Sequence, residues 1–424
     1  MKKYTPLFDW HKQNKATFAI FGGYEMPLWY GSAKEEHISV LTSCGIFDTS
    51  HMAGIIVKGP DSKRLLNHCF SRDLDKCIKN GPLLESYLVY GVFLSENAHV
   101  IDDSIVYKIH DQLFFVVVNA SMGGTISDHL KKNQEGFEVE IEDLTDKLGK
   151  IDIQGPNSPK ILYSCLKDPD KIFSLFPYFT FKGFFEPLDQ DLGSNVGTVQ
   201  LINGKNILLS RSGYTGEIGF EIYCKKEDTQ EIWDLLFEKG KDFNITPCGL
   251  AARDSLRAGA KLPLSHQDIG DWPFLNNPWD FCLPWKEYKK SFTKDFIGKQ
   301  ALQELLNSYS EYTYPFVGKD LRKVNIEDHP RVITEHGKDI GEVLTCCTDM
   351  GISLVDGKVV SIASKDKPKD FKPRGLCCGF VKVDKQLPLG TWVYLQDKKR
   401  KLPVKIVDDI RPDRTARKNI KNFL

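Results

Sequence analysis

Two neighbouring carboxylates stand where they could move protons. Residues 100–106 read Val-Ile-Asp-Asp-Ser-Ile-Val, which places Asp102 and Asp103 side by side in an apolar, strand-like run. Adjacent side chains on a strand point to opposite faces, so at most one of the two carboxylates enters a given pocket. A carboxylate within hydrogen-bond reach of a reacting amine can act as an acid or base. The pattern therefore predicts either an acid/base group or a pair that caps a turn.

A glycine-rich stretch leads to a third carboxylate, Glu221. Residues 211–222 read Arg-Ser-Gly-Tyr-Thr-Gly-Glu-Ile-Gly-Phe-Glu-Ile. Glycines allow tight turns or close approach to a ligand because they have no Cβ. Glu221 alternates with Phe220 and Ile222, so on a strand its carboxylate faces away from both and can accept the paired N–H donors of a flat heterocycle. The alternative is a turn followed by an edge strand with a solvated Glu.

Residues 211–221 resemble the Arg-Thr-Gly-Tyr-Thr-Gly-Glu-x-Gly-x-Glu signature of the folate-binding aminomethyltransferases, the T-proteins of the glycine cleavage system. Ser212 stands in place of the usual Thr. Further stretches match the family in the same order, namely 21–27, 45–52, 101–107, 154–156, 247–257 and 295–302. This resemblance covers nearly the whole chain. It implies that Glu221 holds a pterin ring and that Asp102 is the principal acid/base residue, with Asp103 as the fallback.

The resemblance assigns other residues to the same folate pocket. Tyr90 aligns with a pocket tyrosine, at the family's distance before the acid pair. Asn119 ends an apolar strand and aligns with an asparagine at the pocket wall. Met52 closes a Gly-hydrophobic-Phe-Asp-x-Ser-His-Met element that lies near the folate in the family.

Arginines supply the candidate contacts for the folate tail. Arg253 and Arg257 are four residues apart in a helical pattern after Gly249, so they share one helix face. Paired guanidinium groups suit carboxylates, and an Arg–Asp network on the helix surface is the alternative. The family assigns ligand contact to the equivalent of Arg253, and Arg331 aligns with a second arginine that can reach the folate.

Two departures from the family pattern concern the second substrate. T-proteins usually continue Leu-Arg-Leu-Glu-Ala-Gly, whereas residues 256–260 read Leu-Arg-Ala-Gly-Ala and contain no Glu. The stretch 272–285 is unusually aromatic and would either line an apolar substrate mouth or pack against the next domain.

Three functions follow from these observations. The first is a tetrahydrofolate-dependent aminomethyltransferase, with a lipoyl-bearing carrier protein of the H-protein type as its partner and release of ammonia. The second keeps the folate site but acts as a demethylase on a small methylated compound, which the missing Glu and the aromatic stretch favour. The third is a folate-binding regulator, against which retention of both Asp102 and Glu221 argues.

The elements that must position these residues mix helices and strands, and the resemblance implies an α+β folate-binding module followed by a C-terminal β-barrel. We expect the module to span 1–310 as two intertwined subdomains and the barrel to span 315–424. A polar segment near 356–373 is expected to be a mobile loop. The basic tail 411–421 is expected to be a solvated helix.

Composition limits the other functional classes. The 57 Lys and Arg balance the 57 Asp and Glu, so charge favours neither nucleic acid nor an anionic membrane. No apolar run approaches the roughly 20 residues that span a bilayer, and the start lacks the apolar core of a secretory signal. The 11 Cys match no zinc template, so we expect reduced thiols in a cytoplasmic protein, with a redox role for the vicinal pairs as the alternative.

Overall fold

The computed structural model describes residues 2–77, 86–186, 188 and 197–424. Strands β1 to β13 are Thr17–Phe21, Tyr24–Trp29, Cys44–Asp48, Ala53–Lys58, Ser86–Leu94, Val100–His110, Leu113–Val118, Glu140–Asp143, Leu148–Gln154, Thr180–Gly183, Leu208–Ser210, Gly219–Lys225 and Ile245–Pro247. Strands β14 to β23 are Trp285–Glu287, Ser291–Phe292, Tyr312–Gly318, Arg331–Ile333, Asp339–Asp349, Ile352–Val355, Lys358–Ser361, Leu376–Val383, Trp392–Gln396 and Lys401–Ile406. Helices α1 to α10 are Phe8–Gln13, Ala33–Thr42, Ser62–Cys69, Leu74–Cys77, Gly123–Lys132, Ser158–Cys165, Pro169–Phe173, Thr229–Gly240, Leu250–Gly259 and Lys299–Leu305.

A long, almost wholly antiparallel sheet carries the predicted site residues. In the described part of the chain its eleven strands run in the order β13-β3-β9-β12-β11-β10-β5-β6-β7-β4-β8. Only the β13–β3 pair is parallel. Strands β9 and β12, which are the third and fourth strands in this order, pair Asp152 with Glu221. Neighbouring strands thus bring together side chains that are far apart in sequence.

Alternation along β12 separates an apolar face from a polar one. Phe220 and Ile222 lie in a buried core that α6 and α8 cover with Leu162, Trp233 and other apolar side chains. Glu221 lies between them and faces the other way, where it meets Lys150 of β9. The predicted orientation of Glu221 on a strand is confirmed.

The C-terminal part of the chain closes into a β-barrel. Its six strands run in the order β16-β21-β18-β17-β22-β23, and β23 pairs back onto β16. The predicted α+β class with a C-terminal barrel is confirmed. The segment near 356–373 contains strand β20, which forms a hairpin with β19. The boundary between 310 and 315 stays a prediction.

The aromatic stretch 272–285 joins the sheet module to the barrel. Trp279 is buried, with its ring centroid 5.0 Å from that of Phe380 on β21. Trp272 lies against the Lys382 ammonium, which is 4.3 Å from its ring centroid. Packing against the next domain was one of the two roles predicted for this stretch, and Trp272 and Trp279 have that role. Phe281 differs because it is 53% exposed and lies beside Tyr90.

The prediction for the basic tail 411–421 was wrong. The tail is not a solvated helix, because Arg411 is buried in an ion-pair network and the tail's helical structure is a short 3-10 turn at Ile420–Asn422.

Candidate active site

Asn119 gathers the two adjacent carboxylates. Its backbone N–H donates to Oδ2 of Asp102 at 2.9 Å, and its side-chain amide donates to Oδ1 of Asp102 and Oδ1 of Asp103, both at 2.8 Å. Ser265 donates a further bond to Asp102 at 3.0 Å. The Tyr90 hydroxyl donates to Oδ2 of Asp103 at 2.8 Å. Both carboxylates therefore belong to one network, which is named here the acid pair.

Asp102 and Asp103 differ in exposure. Asp102 is completely buried, whereas Asp103 is partly exposed on the neighbouring position of β6. Burial, and then the charge of Asp103, raises the pKa of Asp102 to about 7. Burial also raises the pKa of Asp103. The pair can therefore hold one proton near neutral pH and exchange it, which is the property an acid/base group needs.

A second cluster surrounds Glu221. Oε1 of Glu221 accepts a hydrogen bond from Lys150 Nζ at 2.5 Å, and Oε2 accepts one from the Ser212 hydroxyl. Lys150 also donates to Asp152 at 2.5 Å. Each carboxylate oxygen has two lone pairs, so both oxygens of Glu221 keep acceptor capacity for a ligand.

Arg253 joins this cluster from helix α9. Its Nη1 donates to Oδ2 of Asp152 at 2.8 Å, and its guanidinium lies 4.8 Å from the centroid of the Tyr214 ring. Burial acts to raise the pKa of Asp152, but the charges of Lys150 and Arg253 outweigh it and the pKa is lowered. The group of Glu221, Lys150, Asp152 and Arg253 is named here the Glu221 cluster.

One loop connects the two groups of residues. Tyr214, which stacks on Arg253, donates a hydrogen bond to the backbone oxygen of Pro263. Ser265, two residues further on, holds Asp102. Asp268 then anchors the loop, because it accepts from the backbone N–H of Leu264 and from the Thr345 hydroxyl of the barrel. The acid pair and the Glu221 cluster are therefore fixed relative to one another.

Arg257 is a structural residue rather than a ligand contact. It is fully buried and forms ion pairs with Asp254 and Asp268. Its Nη2 also donates to Thr345 at 3.0 Å, which ties α9 to β18. Of the two alternatives for the arginines on α9, the Arg–Asp network therefore describes Arg257, while Arg253 lies at the Glu221 cluster.

A carboxylate of the barrel lies beside the position of the missing Glu. The position of that Glu in the pattern is occupied by Gly259, and a Cβ there would lie 1.7 Å from Oδ2 of Asp349. Asp349, at the end of β18, forms a 2.5 Å ion pair with Arg411. The barrel thus supplies a carboxylate next to α9, and Gly259 leaves room for it.

Met52 and Arg331 are the two remaining predicted residues. Met52 is half-buried and packs against the apolar cluster that contains Tyr107 and Tyr223. Arg331 is 50% exposed on barrel strand β17 and forms an ion pair with Asp339. Its described contacts include none with the acid pair or the Glu221 cluster. The roles of both residues stay predictions.

Sequence reasoning missed Lys150 and Asp152. Lys150 and Asp152 alternate with apolar residues on β9, and both are completely buried. The signal that could have identified both residues is the placement of charged side chains at alternate positions of an otherwise apolar strand.

No group of three metal-ligating side chains occurs among the residues that the structure describes. None of the helices in the described ranges is both long and apolar enough to cross a membrane.

Comparisons with known proteins agree with this arrangement. The family model of the GCVT N-terminal domain matches residues 7–274. Aminomethyltransferases of Staphylococcus carnosus and Staphylococcus epidermidis are 31% and 32% identical to the chain, over 96% of its length and 97% of theirs. The crystal structure of glycine cleavage system aminomethyltransferase T from Bartonella henselae shares the fold, with a TM-score of 0.74, 23% identity and 99% of each chain covered. With its signature, its fold and its near full-length similarity, the chain belongs to the GCVT family of glycine cleavage aminomethyltransferases.

Proposed function

We propose that this protein transfers the aminomethyl carbon from a lipoyl-bearing carrier protein to tetrahydrofolate, with release of ammonia. The reaction joins the transferred carbon to two folate nitrogens and leaves the carrier as a dithiol, so atoms and electrons balance without an added oxidant. The observation that carries the proposal is the acid pair, in which the Asn119 amide joins two adjacent carboxylates and burial raises the pKa of Asp102 to about 7. Protons must leave the folate nitrogens and reach the departing amine, and a group of this pKa can serve both needs at neutral pH.

The Glu221 cluster fits a pterin ring. Glu221 keeps a free lone pair on each oxygen, so it can accept two parallel N–H donors from the heterocycle. Lys150 and Ser212 hold the carboxylate in place before the ligand arrives. A group that is oriented in advance loses little freedom on binding.

Arg253 supports recognition of the anionic end of the substrate. Its Nη1 is bonded to Asp152, so the remaining guanidinium donors are those that can reach a carboxylate. Arg331 stays a second candidate for this role on the strength of the family resemblance. The exposed Phe281 beside Tyr90 marks an apolar approach to the acid pair for the carrier's arm.

The demethylase alternative loses its main support. A carboxylate, that of Asp349, lies beside the position of the missing Glu, and Trp272 and Trp279 of the aromatic stretch pack against the barrel. Neither departure from the family pattern therefore requires a one-carbon donor other than the aminomethylated lipoyl carrier. The cytoplasmic location inferred from the thiols stays a prediction.

The decisive experiment is an assay with purified protein, tetrahydrofolate and an aminomethylated lipoyl carrier. We expect methylenetetrahydrofolate and ammonia in equal amounts. The matched control is the same carrier with its lipoyl group free of the aminomethyl carbon. Tetrahydrofolate binding without either product would contradict the aminomethyl donor and would favour the demethylase instead.

A further inference from the structure

Two pairs of cysteines face each other where β18 and β21 run side by side in the barrel. Adjacent side chains on a strand point to opposite faces, so the neighbours Cys346 and Cys347 face different ways. The Sγ atoms of Cys346 and Cys377 are 3.4 Å apart on one face, and those of Cys347 and Cys378 are 3.7 Å apart on the other. All four side chains are free thiols. Each cysteine therefore has its sulfur partner on the next strand and not beside it in the sequence.

The backbone brings Cys346 and Cys377 close enough for a bond between them. In the strand register Cys346 lies opposite Gly379 and Cys377 lies opposite Thr348, so the two cysteines are diagonal neighbours. A Cβ at Gly379 would lie 1.9 Å from the backbone oxygen of Thr345, so this glycine allows the strands to approach closely beside Cys346. The S–S bond of a disulfide is about 2.0 Å long, and rotation about the two Cα–Cβ bonds can bring the sulfurs the remaining distance of about 1.4 Å together.

A small cavity connects this pair of cysteines to the surface. Cys377 lines the cavity together with the exposed Lys319 and Arg322, and its backbone N–H donates to the backbone oxygen of Asp320 at 2.7 Å. The cavity offers about 10 Å³ to the centre of a water-sized molecule, which is the space that one such molecule needs. Cys346 is itself 9% exposed. A small uncharged oxidant can therefore reach the two sulfurs.

The two thiols of this pair differ in acidity. A hydrogen bond from the Cys377 thiol lowers the pKa of Cys346 against the effect of burial, and the backbone N–H of Val324 acts in the same direction. The same hydrogen bond, followed by burial, raises the pKa of Cys377 well above its usual value. The thiolate is the reactive form of cysteine, so Cys346 is the nucleophile of the pair and Cys377 is the thiol that remains protonated.

The pair on the opposite face has different surroundings. Cys347 and Cys378 are 5% and 0% exposed, and they lie in the apolar core that also contains Trp279 and Phe380. The described residues that line the cavity include Cys377 but neither of these two. The two pairs thus have similar sulfur separations but differ in their access to solvent, which makes Cys347 and Cys378 an internal control.

We propose that Cys346 and Cys377 are a redox-active dithiol that hydrogen peroxide converts into a disulfide between β18 and β21. The Cys346 thiolate attacks one oxygen of the peroxide and the O–O bond breaks, which gives a sulfenic acid and a hydroxide that is protonated to water. The sulfur of Cys377 then displaces the hydroxyl group of the sulfenic acid, which leaves as a second water with the proton of the Cys377 thiol. The two thiols lose two electrons, and the peroxide gains them. Formation of the disulfide does not depend on the reaction proposed above.

The test exposes the reduced full-length protein to a small excess of hydrogen peroxide, blocks the remaining thiols by alkylation and maps disulfides by mass spectrometry of tryptic peptides. We expect the loss of two thiols per chain and a cross-link between the tryptic peptides 339–358 and 375–382, which dithiothreitol should reverse. Either pair of cysteines would join these same two peptides, so the mass of the product does not identify the pair. Tandem fragmentation of the cross-linked peptides and paired variants supply that information.

Two double variants distinguish the pairs, with alanine chosen because it adds no polar group to an apolar core. The variant that combines Cys347→Ala with Cys378→Ala keeps the proposed pair and should form the cross-link as the unchanged protein does. The variant that combines Cys346→Ala with Cys377→Ala should not form it. In the single variant Cys377→Ala the sulfenic acid has no second thiol to react with, so dimedone should label Cys346. Thermal unfolding of each reduced variant checks that it is folded.

Three results would overturn the proposal or part of it. Absence of the cross-link from the peroxide-treated unchanged protein would overturn the proposal whatever the variants do. A cross-link that persists without Cys346 and Cys377, and disappears without Cys347 and Cys378, would assign the disulfide to the more deeply buried pair. Dimedone labelling of Cys377 in Cys346→Ala, with no labelling of Cys346 in Cys377→Ala, would overturn the assignment of Cys346 as the nucleophile.

Discussion

Asp349 and Arg411 form a buried ion pair that joins the barrel to the C-terminal tail. Oδ2 of Asp349 lies 2.5 Å from Nη1 of Arg411, and both side chains are almost completely buried. Arg411 also pairs with Glu217 at 3.2 Å and donates to the backbone oxygen of Thr215. The pair therefore supports the glycine-rich turn that leads to Glu221.

The first prediction concerns this ion pair. Asp349→Asn leaves the buried charge of Arg411 with Glu217 as its remaining carboxylate partner. The substitution also removes a charged partner of His37. Losing one member of a buried pair typically costs about 3–5 kcal/mol, which we expect in the free energy of unfolding measured in urea. Asp320→Asn removes an exposed partner of Arg322 and should cost less than about 1 kcal/mol. Equal losses in the two variants would contradict the account of the tail.

The acid pair predicts a separation of binding from turnover. Asp102→Asn keeps one acceptor oxygen for Asn119 and Ser265 and replaces the other with an NH2 group, and the amide cannot exchange a proton. We expect turnover to fall by about 10²–10⁴-fold, with tetrahydrofolate affinity largely intact. Asp103→Asn provides the comparison, since it retains Asp102 in the same network. Turnover that survives in Asp102→Asn but disappears in Asp103→Asn would move the acid/base role to the partly exposed carboxylate.

Asp102 also predicts a dependence of stability on pH. Its pKa is about 7 in the folded protein and about 4 in an unfolded chain, so between these values the folded state binds the extra proton. The contribution of Asp102 to stability is therefore full below about pH 4 and is lost as the pH rises through 7. Asp102→Asn removes this dependence. The melting temperature of Asp102→Asn minus that of the unchanged protein should therefore be larger at pH 8 than at pH 5. The same difference at both pH values would contradict the raised pKa.

Glu221 should contribute to affinity rather than to the chemical step. Glu221→Gln replaces one of the two acceptor oxygens with an NH2 donor, and it leaves Lys150 with Asp152 as its remaining carboxylate partner. Hydrogen bonds to a charged group are worth about 1.5–3 kcal/mol, which predicts roughly 10- to 150-fold weaker tetrahydrofolate binding by calorimetry. The control is Glu142→Gln, whose carboxylate pairs with Lys147 at the surface. Unchanged affinity in Glu221→Gln would remove this residue from the folate site.

Calorimetry of tetrahydrofolate binding can also rank the two arginines that are candidates for holding the folate tail. Arg253 lies at the Glu221 cluster, whereas Arg331 forms an exposed pair on the barrel. We expect Arg253→Met to weaken tetrahydrofolate binding by 10-fold or more, and Arg331→Met to have a smaller effect. The reverse order would show that the barrel, rather than α9, holds the folate tail.

Much of the site could be predicted from local sequence. Alternation along a strand placed Glu221 opposite Phe220 and Ile222, because the side-chain period of a strand is two residues. Helical spacing after Gly249 gave α9 and set Arg253 on its surface. Asp102 and Asp103 could be identified as candidates because carboxylates inside an apolar run are rare without a partner. These features depend on neighbours in the chain, so the sequence alone determined them.

Other features were decided only by the tertiary structure. Strand pairing brought Lys150 and Asp152 to Glu221, since cross-strand neighbours depend on sheet order and not on sequence separation. Closure of the barrel brings Asp349 next to Gly259 and Arg411. The periodicity of the sequence does not predict these contacts. Burial, which is a property of the whole fold, then raised the pKa of Asp102. The residue types for folate chemistry are thus local information, while their charge states and neighbours are set by the long-range packing that excludes water.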